Sequence, residues 1–148
     1  MLHQHPDQRA QVAGDPALVP GAVEECLRWV TPIHAMCRTA TEDTVIGGTS
    51  VSEGDYLCML YASANRDERV FGPDASRFDV RRPVNPMHLA FGFGEHVCLG
   101  ASLARLEARI FLEELLARFP DYAVTGPAER VLSTTVAGIR TLPVVLAG

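Results

Sequence analysis

The sequence predicts a mainly helical chain of the α+β class. Three observations carry that prediction. Apolar residues recur at three- and four-residue steps from 98 to 119, the spacing of one long amphipathic helix. A second helical stretch, 18–30, opens on Pro20 and is stopped by Thr31-Pro32. Residues 36–61 and 122–148 are instead rich in Val, Ile, Thr and aromatics, punctuated by glycine, which predicts short strands and turns.

The elements follow in order. Residues 5–14 read as a short helix, with Pro6 in its first turn, Asp7 at the favourable end of the dipole and Gly14-Asp15-Pro16 as a break. In the helix 18–30, Glu25 and Arg28 are three apart and so share a face. Strands are expected in M-C-R-T-A-T, T-V-I-G-G-T-S-V and D-Y-L-C-M-L-Y-A, with turns at Gly47-Gly48 and Glu53-Gly54. Residues 62–90 are rich in Gly, Pro, Asp and Asn, so an irregular path is expected there. The helix 98–119 carries Leu99, Leu103, Leu106, Ile110, Leu112, Leu115, Leu116 and Phe119, and Pro120 ends it. Its pairs Arg109/Glu113 and Glu114/Arg118 have i,i+4 spacing. The tail reads as strand pieces in Y-A-V, R-V-L-S-T-T-V and L-P-V-V-L.

Composition bounds the function. With 148 residues, 47% hydrophobic and 21% charged, the chain can bury a core as one domain. A net charge of −5 argues against nucleic acid or an anionic membrane as partner. No apolar run has the length of a membrane span, and the polar start M-L-H-Q-H-P-D-Q-R predicts no signal peptide and a cytoplasmic location. Cysteines 26, 37, 58 and 98 show no framework spacing and are expected as free thiols in a reducing compartment.

The chemistry concentrates in F-G-F-G-E-H-V-C-L-G, residues 91–100. Gly92, Gly94 and Gly100 let a loop turn tightly or lie flat. Cys98 ends that loop where a helix is expected to start, and unpaired N–H groups at a helix start favour a thiolate. A zinc site using His88, His96, Cys98 and a further cysteine is an alternative, but only one close Cys/His pair is present. With Phe91, Gly94, His96, Cys98 and Gly100 in place, the string resembles the haem-binding loop of the cytochrome P450 haem-thiolate monooxygenases.

That resemblance spans residues 5 to the end and implies the C-terminal part of the P450 fold: a motif helix, a small sheet, a meander, the cysteine loop, a long final helix and a terminal β-hairpin. The N-terminal helices and the central oxygen-activating helix of that fold have no counterpart in this chain. The resemblance further implies haem b as cofactor, with Cys98 as the proximal, axial iron ligand, whose electron donation favours O–O cleavage. His96 and Arg38 would hold haem propionates, Gly94 would shape the loop and Phe91 would shield the sulfur. His88 is a second candidate for holding the loop. Glu25 and Arg28 match the family's E-x-x-R ion pair; its third partner is assigned to Arg77, with Arg81 and Arg82 as substitutes. Ile33, His34, Ala35 and Met36 lie on the expected substrate side, and Val136-Ala137-Gly138 matches a loop that dips into the pocket. Arg105 and Arg109 are candidates for docking a ferredoxin-like or flavin electron donor. The implied activity is insertion of one oxygen atom from O2 into a small organic substrate. The alternative is a catalytically inactive fragment that binds haem weakly or not at all.

Overall fold

Pro6 and Asp7 begin α1 (Pro6–Gly14), as their preferences dictate. The fold comes from a computed structural model that describes residues 1–146. Asp15 then caps a 3-10 turn at Pro16–Leu18 by accepting the Ala17 N–H at 3.1 Å. That turn feeds α2 (Val19–Val30), with proline in its first turn. The end of α2 is unusual: Thr31 has φ +45°, the left-handed region that β-branched residues avoid. Its hydroxyl donates to Arg28 O at 2.8 Å and accepts from Asn65 Nδ2 at 2.9 Å, so the conformation is held by two bonds in a fully buried place.

The predicted small sheet is a set of two-stranded ladders. β1 (Ala35–Thr39) pairs antiparallel with β4 (Tyr56–Leu60), Arg38 lying opposite Leu57. Between them, β2 (Thr44–Ile46) and β3 (Thr49–Val51) form a hairpin. Its two turn residues, Gly47 and Gly48, have φ +56° and +83°, which is why glycine stands at both. The short helices α3 (Tyr61–Ala64) and α4 (Glu68–Phe71) open the irregular stretch. After α5 (Ala101–Arg118), β5 (Ala123–Val124) pairs with β8 (Val144–Val145), and β6 (Glu129–Arg130) with β7 (Ile139–Thr141).

The core lies where α1, α2 and α5 meet the meander. Leu2, Val12, Val19, Ala22, Val23, Phe78, Val80, Leu116 and Tyr122 form it. Gln8 on α1 fastens the meander with its side-chain amide, donating to Phe78 O at 2.8 Å and accepting from Val80 N at 2.9 Å. Each fully buried side chain of Val size contributes roughly 1.5–3 kcal/mol relative to exposure.

Two expectations for the long helix need correction. It starts at Ala101, with Gly100 as N-cap, so Cys98 precedes the first helical residue instead of beginning the helix. The reason is local: residues 99–100 form a turn in which Cys98 O accepts the Ala101 N–H at 3.2 Å. The apolar residues also divide between two sides. Leu112, Leu115, Leu116 and Phe119 pack with the core, whereas Leu103, Leu106 and Ile110 are exposed, and Leu99 before the helix is fully exposed. No helix among the described residues is long and apolar enough to cross a membrane.

Candidate functional site

The cysteine loop is built from its glycines outward. Gly92 and Gly94 have φ +74° and +75°, so a side chain at either would strain the backbone. The Gly92 N–H donates to Leu89 O at 3.0 Å, and the Cys98 N–H donates to Phe91 O at 2.8 Å, closing the loop at both ends. A 3-10 turn, Gly94–His96, fills the middle. The result presents Cys98 on the surface as a free thiol, in a loop where Phe93 is 85% exposed and Leu99 wholly exposed. An exposed thiol on a glycine-shaped loop that also exposes Phe93 and Leu99 suits a soft metal at the centre of a flat apolar cofactor. Haem therefore fits the donor set.

Arg38 is half-buried on β1 and donates one hydrogen bond, to Cys37 O at 2.8 Å. His96 is exposed in the 3-10 turn. Among the described residues neither hydrogen-bonds to the other or to Cys98, so they stand as separate candidates. No group of three or more His, Cys, Asp or Glu converges on a possible metal position among the described residues. His88 instead faces Glu24, with Nε2 3.2 Å from its carboxylate.

A saturated ion pair lies on α2. Arg28 gives Nε and Nη2 to the two oxygens of Glu25 at 2.6 and 2.8 Å. Its remaining N–H groups reach Asn65 O at 2.6 Å, Ala75 O at 2.9 Å and Arg77 O at 3.0 Å. All five guanidinium donors are thus used, and both side chains are almost fully buried. Glu25 also accepts the Asp79 N–H at 2.9 Å. One side chain, Arg28, therefore gathers α2, the end of α3 and the meander.

The third partner is Arg82, not Arg77. Arg82 Nε lies 3.4 Å from Glu25, and its other nitrogens bond to Asp74 and to the carbonyls of Phe71, Asp74 and Arg77. Arg77 serves this cluster through its backbone carbonyl, which receives both Arg28 and Arg82. The Arg77 side chain makes no hydrogen bond or ion pair with Glu25 or Arg28 among the described residues. Arg81 points elsewhere, to Gln11 at 2.8 Å.

A second cluster joins the loop to α2 and α5. Arg105 binds both oxygens of Glu24 at 2.7 and 3.0 Å, and its guanidinium carbon stands 4.7 Å from the centre of the Phe91 ring. Hydrogen bonding to Glu24 raises the Arg105 pKa further. Buried His88 accepts the Ala90 N–H at Nδ1, 3.1 Å away, so its proton sits on Nε2 facing Glu24. The 3.2 Å separation is short enough for a hydrogen bond, but the alignment is not, leaving Nε2 without a true partner. Burial lowers the His88 pKa, with Arg105 acting in the same sense and Glu24 opposing. The cationic head of Arg105 is thus spent inward, whereas Arg109 lies outward, 3.6 Å from Glu113.

The two stretches assigned to the substrate side do meet. The His34 N–H donates to Thr135 O at 2.8 Å, the Ala137 N–H donates to Pro32 O at 2.8 Å, and Ile33 bridges to Val136. A cleft of about 530 Å³ lies elsewhere, lined by Pro20, Val23, Glu24, Met87, Arg105 and Leu106 among others, and does not include Cys98.

Sequence reasoning passed over Asn65. It is fully buried, donates to Thr31, accepts the Leu89 N–H at 2.7 Å and lends its carbonyl to Arg28. It couples the end of α2 to the segment that leads into the cysteine loop. The only signal was an Asn in a predicted turn, a residue suited to satisfying backbone groups locally.

A motif helix with a saturated Glu/Arg pair, a meander, a glycine-shaped cysteine loop and a long following helix define the P450 class of fold. The cytochrome P450 family model matches residues 15–124. The chain belongs to the cytochrome P450 family. It is 48% identical to cytochrome P450 130 of Mycobacterium tuberculosis over 124 residues, covering 84% of this chain and 30% of that protein. It is 46% identical to the steroid C26-monooxygenase of Mycolicibacterium smegmatis over 146 residues, covering 97% and 36%. The solved structure of cytochrome P450-153 from Novosphingobium aromaticivorans superimposes with a TM-score of 0.89 at 45% identity, covering 97% of this chain and 36% of that one. The chain thus spans about a third of the length of these relatives.

Proposed function

We propose that this chain carries the thiolate side of a haem monooxygenase site. The observation that carries the reading is Cys98: a free, exposed thiol, flanked by bare Phe93 and Leu99, on a loop whose path requires glycine at 92 and 94. Family membership supports haem b as the group held there. When bound, haem iron supplies the reductive activation of O2 that leads to insertion of one oxygen atom.

The chain's own residues then have distinct tasks. Cys98 binds iron as a thiolate. Arg38 and His96 hold the propionates, for which Arg38 has the bidentate geometry that carboxylates prefer. Phe91, steadied by Arg105, shields the sulfur from water and so helps tune the iron. The Glu25–Arg28–Arg82 cluster fixes the meander that leads into the loop. The paired segments 32–34 and 135–137 contribute to the substrate side. A small organic substrate and a ferredoxin-like or flavin electron donor complete the reading. The relative named as a steroid C26-monooxygenase supports oxygen insertion as the reaction class.

The second reading is a fragment that takes up haem weakly or not at all and does not turn over. The uncovered Leu103, Leu106 and Ile110 favour it, because a bare apolar face disfavours a well-ordered site. The ferrous–CO absorption spectrum of the chain incubated with haem decides between them. A Soret band shifted strongly to the red, lost in Cys98→Ala, is the expected result for thiolate ligation. A spectrum of free or histidine-bound haem overturns the haem-thiolate assignment for this chain.

A further inference from the structure

Cys37 and Cys58 stand directly opposite each other across β1 and β4. The ladder's parity fixes what kind of pair they are. At one end the Ala40 N–H donates to Asp55 O at 2.9 Å; at the other, His34 O accepts the Ala62 N–H at 3.2 Å. Even-numbered residues of this strand therefore carry the inter-strand bonds, and position 37 is a non-hydrogen-bonded site. Directly opposed residues at such sites have Cα atoms about 4.5 Å apart. That lies at the short end of the roughly 4.4–6.8 Å that disulfides span. Strand alternation also places Cys37 and Cys58 on the face away from Arg38. Cys58 is exposed and Cys37 half-buried, so a small reagent can reach the pair.

We propose that Cys37 and Cys58 form a modification site, a cross-strand dithiol that a peroxide converts reversibly to a disulfide. The Cys58 thiolate attacks one peroxide oxygen, the O–O bond breaks, and water leaves with Cys58 as a sulfenic acid. The Cys37 thiolate then attacks that sulfur, forming S–S and expelling the hydroxyl as water once protonated. Two thiols and one hydrogen peroxide give one disulfide and two waters, the two sulfurs having lost two electrons to the peroxide. A dithiol reductant reverses the reaction.

Two further features single this pair out. The Cys37 side chain, opposite Cys58 in the ladder, pushes up the pKa of both Cys58 and Tyr56 through hydrogen bonding. Burial lifts the Cys26 thiol to about 11, which keeps it protonated and unreactive. Cys98 lies outside this ladder and has no cross-strand partner among the described residues. Because Cys58 is held as a thiol, its oxidation should quicken as pH rises toward the thiolate.

The test is peptide mapping of the reduced chain after equimolar hydrogen peroxide, thiol blocking with iodoacetamide and tryptic digestion without reductant. The expected product links peptides 29–38 and 39–66. It should exceed any link through Cys26 or Cys98 on the order of tenfold, and lose that preference when oxidation is done in concentrated urea. Dithiothreitol should restore both thiols. Cys98→Ala should leave the link intact. Cys37→Ser should abolish it while leaving Cys58 as sulfenic or more oxidised acid, with far-ultraviolet circular dichroism confirming an unchanged fold. Recovery of both cysteines as unlinked blocked thiols, or a link no more frequent in the native chain than in urea, overturns the proposal.

Discussion

The Glu25–Arg28–Arg82 cluster and the Cys98 loop with its following helix sit in one chain under opposite conditions. In the cluster every donor of Arg28 has an acceptor and both members of the central pair are shut from water. Around Cys98, and along the Leu103–Leu106–Ile110 side of α5, apolar groups face solvent. The first region satisfies its polar groups within these residues; the second leaves large apolar side chains exposed.

Breaking the cluster should have the largest effect. Arg28→Ala leaves the Glu25 carboxylate buried without its main partner and should cost about 3–5 kcal/mol, read as a fall in the urea midpoint. Arg82→Ala should cost about 1.5–3 kcal/mol in the same assay, the range for hydrogen bonds to charged groups. Arg77→Ala should stay within about 0.5 kcal/mol, because its backbone carbonyl is what the cluster uses. Equal losses at 77 and 82 would contradict the placement of the third partner.

His88 lies between the two regions and gives a smaller, pH-dependent effect. Its folded pKa is lowered from 6.5, chiefly by burial. Below the unfolded value the unfolded chain takes up a proton that the folded chain refuses, so stability falls as pH drops through about 6.5 and levels off below the folded pKa. Urea midpoints at pH 7.5 and 5.5 should differ in that direction, and His88→Gln should shrink the difference. The smallest effect belongs to the bare face. Leu99→Ser and Leu103→Ser should change stability by no more than about 0.5 kcal/mol while reducing self-association in light scattering.

Much of this was legible in the sequence, for physical reasons that vary by element. Proline at helix starts, glycine in turns and the alternating strand residues act locally, so the bounds of α1, α2 and the hairpin followed from neighbours in the chain. The glycines of the cysteine loop were legible too, because Gly92 and Gly94 take a positive φ that other residues avoid. The choice of Arg82 over Arg77 was not legible, although Arg82 stood among the candidates, because the meander has no period and its turns decide which arginine faces Glu25. The division of α5 escaped for a related reason: with apolar residues on more than one side, periodicity does not say which side turns inward. Asn65 and Gln8 act through bonds to backbone groups far along the chain, which leave no pattern in either segment.

The Gln8 clasp has a consequence for how the chain tolerates change in length. It joins residues 70 and 72 positions apart, so α1 and the meander are tied by a side-chain amide, not by sequence proximity. Loop-closure entropy grows only logarithmically, and doubling such a loop costs about 0.6 kcal/mol. The exposed β2–β3 hairpin lies inside that loop and contributes little to the core. Residues added at the Gly47-Gly48 turn would lengthen the tether without loosening the clasp, making this hairpin a place where chains of this fold can vary in length while the meander that leads into the cysteine loop stays fixed.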